Sequence, residues 1–159
     1  MVTAAIAIGS NLGPRLEHLR VAVERLSLVL GDLRVSRFSE TAPHDVPAPQ
    51  PCFLNGAAVG TTTLPARQLL HELMAIERER GRERPYRGAP RTLDLDLVLF
   101  GGEVIVESDL IVPHPRFRRR LFVLEPLSEI APGLTDPVTG RTVAELLAQL
   151  RQETSTPPR

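Results

Sequence analysis

The chain predicts an α+β sandwich in the order βαββαβ, with an appended hairpin and a C-terminal helix, and three observations carry that prediction. Apolar, partly β-branched runs alternate with stretches whose leucines recur at steps of three and four, the two periodicities that separate strand from helix. Clusters of Gly, Pro, Asn and Ser punctuate those runs where turns and caps are needed. With 159 residues, 42 % hydrophobic and 24 % charged, the chain suits one domain with its own core, expected over residues 1 to 150, with 151 to 159 as a frayed tail.

The apolar run from Val2 to Ile8 reads as the first strand and stops at Gly9-Ser10-Asn11, which combines turn and cap chemistry. Pro14 suits the first turn of a helix, whose stripe is Leu12, Leu16, Leu19, Val23, Leu26 and Leu30, up to Gly31. Arg34 to Ser39 form a short second strand. In "TAPHDVPAPQP", four prolines in eleven residues exclude both helix and central strand. Phe53 to Thr62 is the third strand despite two glycines, and Thr63 and Pro65 open a second helix with the stripe Leu69, Leu70, Leu73 and Ile76.

The Arg-dense "RERGRERPYRGAPR" is expected to be a mobile surface loop. Thr92 to Phe100 is the fourth strand, Gly101-Gly102 a hairpin turn, and "EVIVES" a returning outer strand. A Pro-braced turn and a short apolar element follow in "VPHPRFRRRLFVLEPL". Thr142-x-x-Glu145 is a capping box ahead of a helix carrying Leu146, Leu147 and Leu150. This order argues for helices on one face of a mostly antiparallel sheet.

Charge and cysteine content remove several function classes. The 19 basic and 19 acidic residues balance, so no general attraction to nucleic acid is expected and any anion site must be local. Every basic residue is Arg, which excludes a Walker-type loop with its Lys. Cys52 stands alone, too few for a disulfide or a zinc site, and fits a reducing cytoplasmic setting. The opening "MVTAAIAIGSNLG" lacks the charged start of a signal peptide and is too short to span a bilayer, so no membrane partner is expected.

The chemistry concentrates around the fourth strand. Alternation sends Leu93, Leu95, Leu97 and Leu99 to one face and Thr92, Asp94, Asp96 and Val98 to the other. Side chains two apart in a strand lie roughly 7 Å apart, close enough for both carboxylates to converge on one or two cations. An all-oxygen set of few protein ligands suits Mg²⁺, which keeps waters and takes phosphates. A half-exposed polar strand face accounts for a generic D-x-D equally well. Asp is nevertheless disfavoured in strands, and like charges on one face repel.

Arginines flank the pair: Arg78, Arg80, Arg82, Arg84, Arg87 and Arg91 before it, Arg116, Arg118, Arg119 and Arg120 after it. Arg78 and Arg80 alternate with Glu77, Glu79 and Glu83 and read as helix ion pairs. Arg91 and Arg120 are the better phosphate ligands, because a guanidinium fork matches phosphate oxygens. His114, held between Pro113 and Pro115, reads either as a phosphate donor or as a structural residue. Phe53 with Asn55 offers the ring and the amide that a flat heterocycle needs.

Together, "AIAIGSNLG", "FLNGAAV", "IERERGRER", "PRTLDLDLVLFG" and "VPHPRFRRRLFVLEPLSEIAPGL" resemble the 6-hydroxymethyl-7,8-dihydropterin pyrophosphokinases of folate biosynthesis, in order from about residue 4 to residue 135. The resemblance implies a ferredoxin-like fold and transfer of pyrophosphate from ATP to the pterin hydroxymethyl group, with release of AMP. It implies that Asp94 and Asp96 hold two Mg²⁺ ions and that Arg82 and Arg91 join them as catalytic residues. ATP contacts are implied for Glu77, Arg84, Arg91, Leu97, His114 and Arg120. Pterin contacts are implied for Thr41, Pro43, His44, Phe53, Asn55 and Phe122, the two rings sandwiching the pterin. A monomer is expected.

The family pattern R-W-G-P-R before T-L-D reads Arg87-Gly88-Ala89-Pro90-Arg91 here, without Trp, which leaves Tyr86 as the aromatic of that loop. The competing class is a ligand-sensing or protein-interaction module on the same sheet, since this fold hosts many functions.

Overall fold

The computed structural model describes residues 1–41, 52–81 and 92–155. In chain order the elements are β1 (Val2–Ser10), α1 (Arg15–Val29), β2 (Gly31–Val35), β3 (Ser39–Thr41), β4 (Phe53–Thr62), α2 (Ala66–Glu79), β5 (Asp94–Phe100), β6 (Ile105–Val106), β7 (Ile111–Val112), a 3₁₀ turn (Phe117–Arg119), α3 (Leu121–Ile130) and α4 (Val143–Ser155). The main sheet runs β2-β4-β1-β5, with β3 also paired to β4, and every pairing is antiparallel. That order, with crossover helices α1 and α2, is the ferredoxin-like arrangement.

The sheet is covered on both faces, which corrects the expectation of helices on one. Ala4, Ile6 and Ile8 of β1 pack with Leu19 and Leu26 of α1, Leu69 and Leu73 of α2, and Leu95 and Leu97 of β5. Ala5 of β1 packs on the opposite face with Ala57, Val59, Leu124 and Leu127 of α3, and Val143 and Leu147 of α4. The central strands have small apolar residues on both sides, as a sheet with two covered faces requires.

Four further expectations change. The buried stripe of α1 is His18, Leu19, Ala22 and Leu26, while Leu12 and Leu16 are exposed: the helix begins only at Arg15, and Leu16 points to water. The second strand is two pieces, because at Ser36 the ladder is kept only on one side, its N–H donating to the Ala57 carbonyl at 2.9 Å. Its hydroxyl accepts the Ala57 N–H at 2.8 Å, and the Phe38 ring occupies the space where a Cβ on Gly56 would lie, 2.6 Å from it. The outer strand does not return along β5. β6 pairs with β7 instead, and Arg67 of α2 holds Glu107 and Asp109 of that hairpin. Finally α4 is helical through Ser155, past the point where fraying was expected; its capping box forms, with Glu145 N–H donating to Thr142 Oγ1 at 3.2 Å and Thr142 N–H to Glu145 Oε1 at 3.1 Å.

A bulge in β5 shapes the end of the sheet that carries the aspartates. Ala5 pairs with Leu99 but Ile6 pairs with Leu97, so one extra residue is inserted between them. Leu99 therefore joins Val98 on the α3/α4 side, instead of Leu95 and Leu97, as the alternation alone predicts. Among the described residues no helix is long and apolar enough to cross a membrane.

Candidate active site

Register across three strands builds the site. Asp94 pairs with Gly9, which pairs with Asn55, and Asp96 pairs with Ala7, which pairs with Ala57. Directly paired residues share a face, so both aspartates, Asn55 and Phe53 stand on the α3/α4 side. Toward Ala5, Val59 and Leu99 that face is sealed by the two helices. At the other end Phe53, Asp94 and Asp96 remain half-buried. The result is an open polar end on a closed apolar floor.

Glycine at position 9 is what lets the row form. A Cβ there would lie 2.6 Å from Asn55 Oδ1 and 3.7 Å from Phe53 Cδ1. The buried Asn55 amide donates through Nδ2 to Thr41 Oγ1 at 2.5 Å, which leaves its carbonyl edge toward β1. Thr41, Asn55 and Phe53 thus form one wall. Arg15, which sequence reasoning did not select, closes its base by donating to the Cys52 carbonyl at 2.7 Å and pairing with Glu40 at 2.5 Å.

The opposite wall is the turn after β7. The His114 N–H donates to the Val98 carbonyl at 2.9 Å, which ties the turn to the β5 bulge. His114 Nδ1 accepts the Arg116 N–H at 3.1 Å, so a neutral ring carries its proton on Nε2 as a donor. Burial, and then the positive Arg120, push this imidazole down to about 4 against the opposing pull of Asp94. Unfolded histidine titrates near 6.5, so as pH falls from about 6.5 to 4 the unfolded chain binds the proton first and the native state loses stability. His114 is expected to titrate near pH 4 in an imidazole NMR titration; a midpoint near 6.5 would contradict this environment.

Arg120 precedes α3, where its carbonyl accepts the N–H groups of Val123 and Leu124, both at 3.0 Å. Its guanidinium lies 5.4 Å from the centroid of the half-buried Phe122 ring. Phe122 and Arg120 thus stand side by side at the start of α3.

The side chains of two expected ATP contacts are buried. Leu97 is a core side chain, 5 % exposed, in the α1/α2 layer opposite the aspartates. Glu77 is 4 % exposed and accepts the Leu95 N–H at 2.8 Å, so it braces the strand that carries the aspartates. Of the charges around it, Glu79 pairs with Arg25 of α1 at 2.6 Å, and Arg80 donates to His18 Nδ1 at 2.9 Å, both across to the first helix. Arg82, Arg84, Arg91, Tyr86, Pro43 and His44 lie outside the described residues.

The donor set fits a hard divalent cation. Both candidate ligands are carboxylates, and Thr92 Oγ1, two residues before Asp94, is a buried hydroxyl without a hydrogen-bond partner among the described residues. No group of three or more His, Cys, Asp or Glu side chains is gathered there among the described residues.

Comparison with known proteins gives the family. A 2-amino-4-hydroxy-6-hydroxymethyldihydropteridine pyrophosphokinase of Synechocystis is 40 % identical over 148 residues, covering 92 % of this chain and 75 % of its own. The enzyme of that name from Pseudomonas aeruginosa is 43 % identical over 145 residues, 90 % of this chain and 88 % of its own. Among solved structures, a Plasmodium falciparum HPPK-DHPS crystal structure shares the fold with a TM-score of 0.74 at 14 % identity, covering 96 % of this chain. This chain spans 45 % of that longer one. The family model for 7,8-dihydro-6-hydroxymethylpterin-pyrophosphokinase matches residues 5–132, a stretch that includes most of β1, the aspartate strand and α3, and the chain belongs to that family.

Proposed function

We propose that Asp94 and Asp96 hold two Mg²⁺ ions for the reaction of this family, transfer of pyrophosphate from ATP to the hydroxymethyl group of 6-hydroxymethyl-7,8-dihydropterin in tetrahydrofolate biosynthesis. The observation that carries the reading is the pair of half-buried carboxylates on one face, set between the Asn55 wall and the His114–Arg120 turn. Bound there, the ions supply positive charge to the phosphate oxygens.

The chain's own groups do the rest. Arg120 and the Nε2–H of His114 donate to phosphate, and Phe53 and Phe122 flank the pterin ring while Asn55 and Thr41 read its edge. The pterin hydroxymethyl oxygen attacks the β-phosphorus, the bond to the oxygen bridging the α- and β-phosphorus breaks, and AMP leaves with that oxygen. Such transfers rest on positioning and charge stabilisation, so no side-chain nucleophile is needed. Arg82 and Arg91 join as catalytic arginines, Arg84 as an ATP ligand, and Pro43 and His44 as pterin contacts, on the family pattern alone.

The reading has the enzyme act as a cytoplasmic monomer on small molecules, in keeping with a charge-balanced chain whose single thiol is exposed. Isothermal titration with α,β-methylene-ATP tests the metal site. Binding is expected in Mg²⁺ and should weaken at least roughly 10-fold in EDTA; equal affinity in both would refute the cation clamp.

A further inference from the structure

Four of the five residues from Arg116 to Arg120 are arginines, and like charges so close would splay the turn. One of them is neutralised. Arg118 forks onto Asp136, Nε to Oδ2 at 2.6 Å and Nη2 to Oδ1 at 2.9 Å, with its guanidinium 4.8 Å from the centroid of the buried Phe117 ring. Asp136 is wholly buried, and its carboxylate also accepts the Val138 N–H at 3.0 Å and the Thr139 hydroxyl at 2.7 Å. Its own backbone is fixed as well, with its N–H donating to the Arg141 carbonyl and its carbonyl accepting the Gly140 N–H, both at 2.8 Å. Every part of this carboxylate is held before Arg118 reaches it.

The turn so anchored leads straight into the candidate phosphate donors. Arg120 N–H donates to the Phe117 carbonyl at 3.2 Å, and Phe117 N–H to the His114 carbonyl at 3.4 Å. A shift of Phe117 and Arg118 would therefore carry both His114 and Arg120 with it. A truncation that leaves either charge buried and unpaired is costly, so the pair has one stable arrangement.

We propose that Asp136 and Arg118 are a positioning pair that sets where Arg120 and His114 present their donors to the ATP phosphates. The proposal rests on the reading of Arg120 and His114 as phosphate donors. Arg118 is then an internal strut and not a phosphate ligand, unlike Arg120.

Steady-state kinetics on the full chain test it, each variant assayed well below its own melting temperature. Asp136→Asn keeps the shape and, through its remaining oxygen, the Val138 N–H, with its amide now donating to the Thr139 hydroxyl, but loses the charge and the second acceptor that grip Arg118; the KM for ATP should rise roughly 10-fold with the pterin KM changed less than about twofold. Thr139→Val removes another bond from the same carboxylate and should lower the melting temperature with the ATP KM unchanged. Equal ATP effects in the two variants, no ATP effect in Asp136→Asn, or a parallel shift for both substrates would overturn the proposal. Should Asp136→Asn fail to fold, Arg118→Lys keeps the charge and loses the fork. Weaker α,β-methylene-ATP binding by Arg118→Lys supports the pair, and wild-type affinity refutes it. Absence of pterin-dependent AMP from the wild type would instead refute the phosphate-site reading.

Discussion

Asp96→Ala, and separately Asp94→Ala, should lower turnover by roughly 10³-fold or more while leaving the protein folded. Each change removes one of the two carboxylates on the open face of β5 and so half of the candidate cation clamp. The phosphate charge is then opposed by whatever cation the remaining carboxylate still holds, with Arg120, His114 and the Arg-rich segment. Neither aspartate is a core residue, both being half-buried, and removing one relieves the repulsion between like charges two residues apart on the strand. The melting temperature should accordingly change by only a few degrees. Near-native turnover of Asp94→Ala in Mg²⁺, with the fold intact by circular dichroism, would mean that the metal lies elsewhere.

Gly9→Ala should raise the pterin KM by roughly 10- to 100-fold with little loss of stability. The new Cβ would meet Asn55 Oδ1 at 2.6 Å, well inside contact distance. Only the end of a side chain has to yield, so the backbone pairing of β1 with β4 can survive. What is lost is the aim of the amide, held at 2.5 Å to Thr41 Oγ1 in the native wall. Kinetics should therefore separate the substrates, with the pterin KM affected and the ATP KM near its native value. An unchanged pterin KM would show that Asn55 does not read the pterin edge.

The topology and the aspartate face are legible in the sequence for simple reasons. Strand and helix periodicities are local, and Thr142 with Glu145 forms its cap from residues three apart. The second covered face is also written there, in the consecutive apolar residues Ala4 to Ile8 of β1 and Ala57 to Val59 of β4, but the order of elements by itself suggests helices on one side only. The β5 bulge is not legible, because Leu99 changes face through its pairing with Ala5, on a strand some ninety residues earlier in the chain. The same limit hides the partners of the charged residues. Nothing local to Arg118 points to Asp136, nothing near Arg15 points to Glu40 and Cys52, and nothing near Glu77 shows that its carboxylate meets the Leu95 N–H. Gly9 reads as a turn residue, and only its pairing opposite Asn55 shows it as a clearance.

Phosphorus NMR of the reaction mixture tests the central claim most directly. Wild-type protein with ATP, Mg²⁺ and 6-hydroxymethyl-7,8-dihydropterin should give AMP and a pterin pyrophosphate in equal amounts, with ATP left intact when the pterin is omitted. ADP with a pterin monophosphate, or ATP consumed without pterin, would contradict attack at the β-phosphorus in this site.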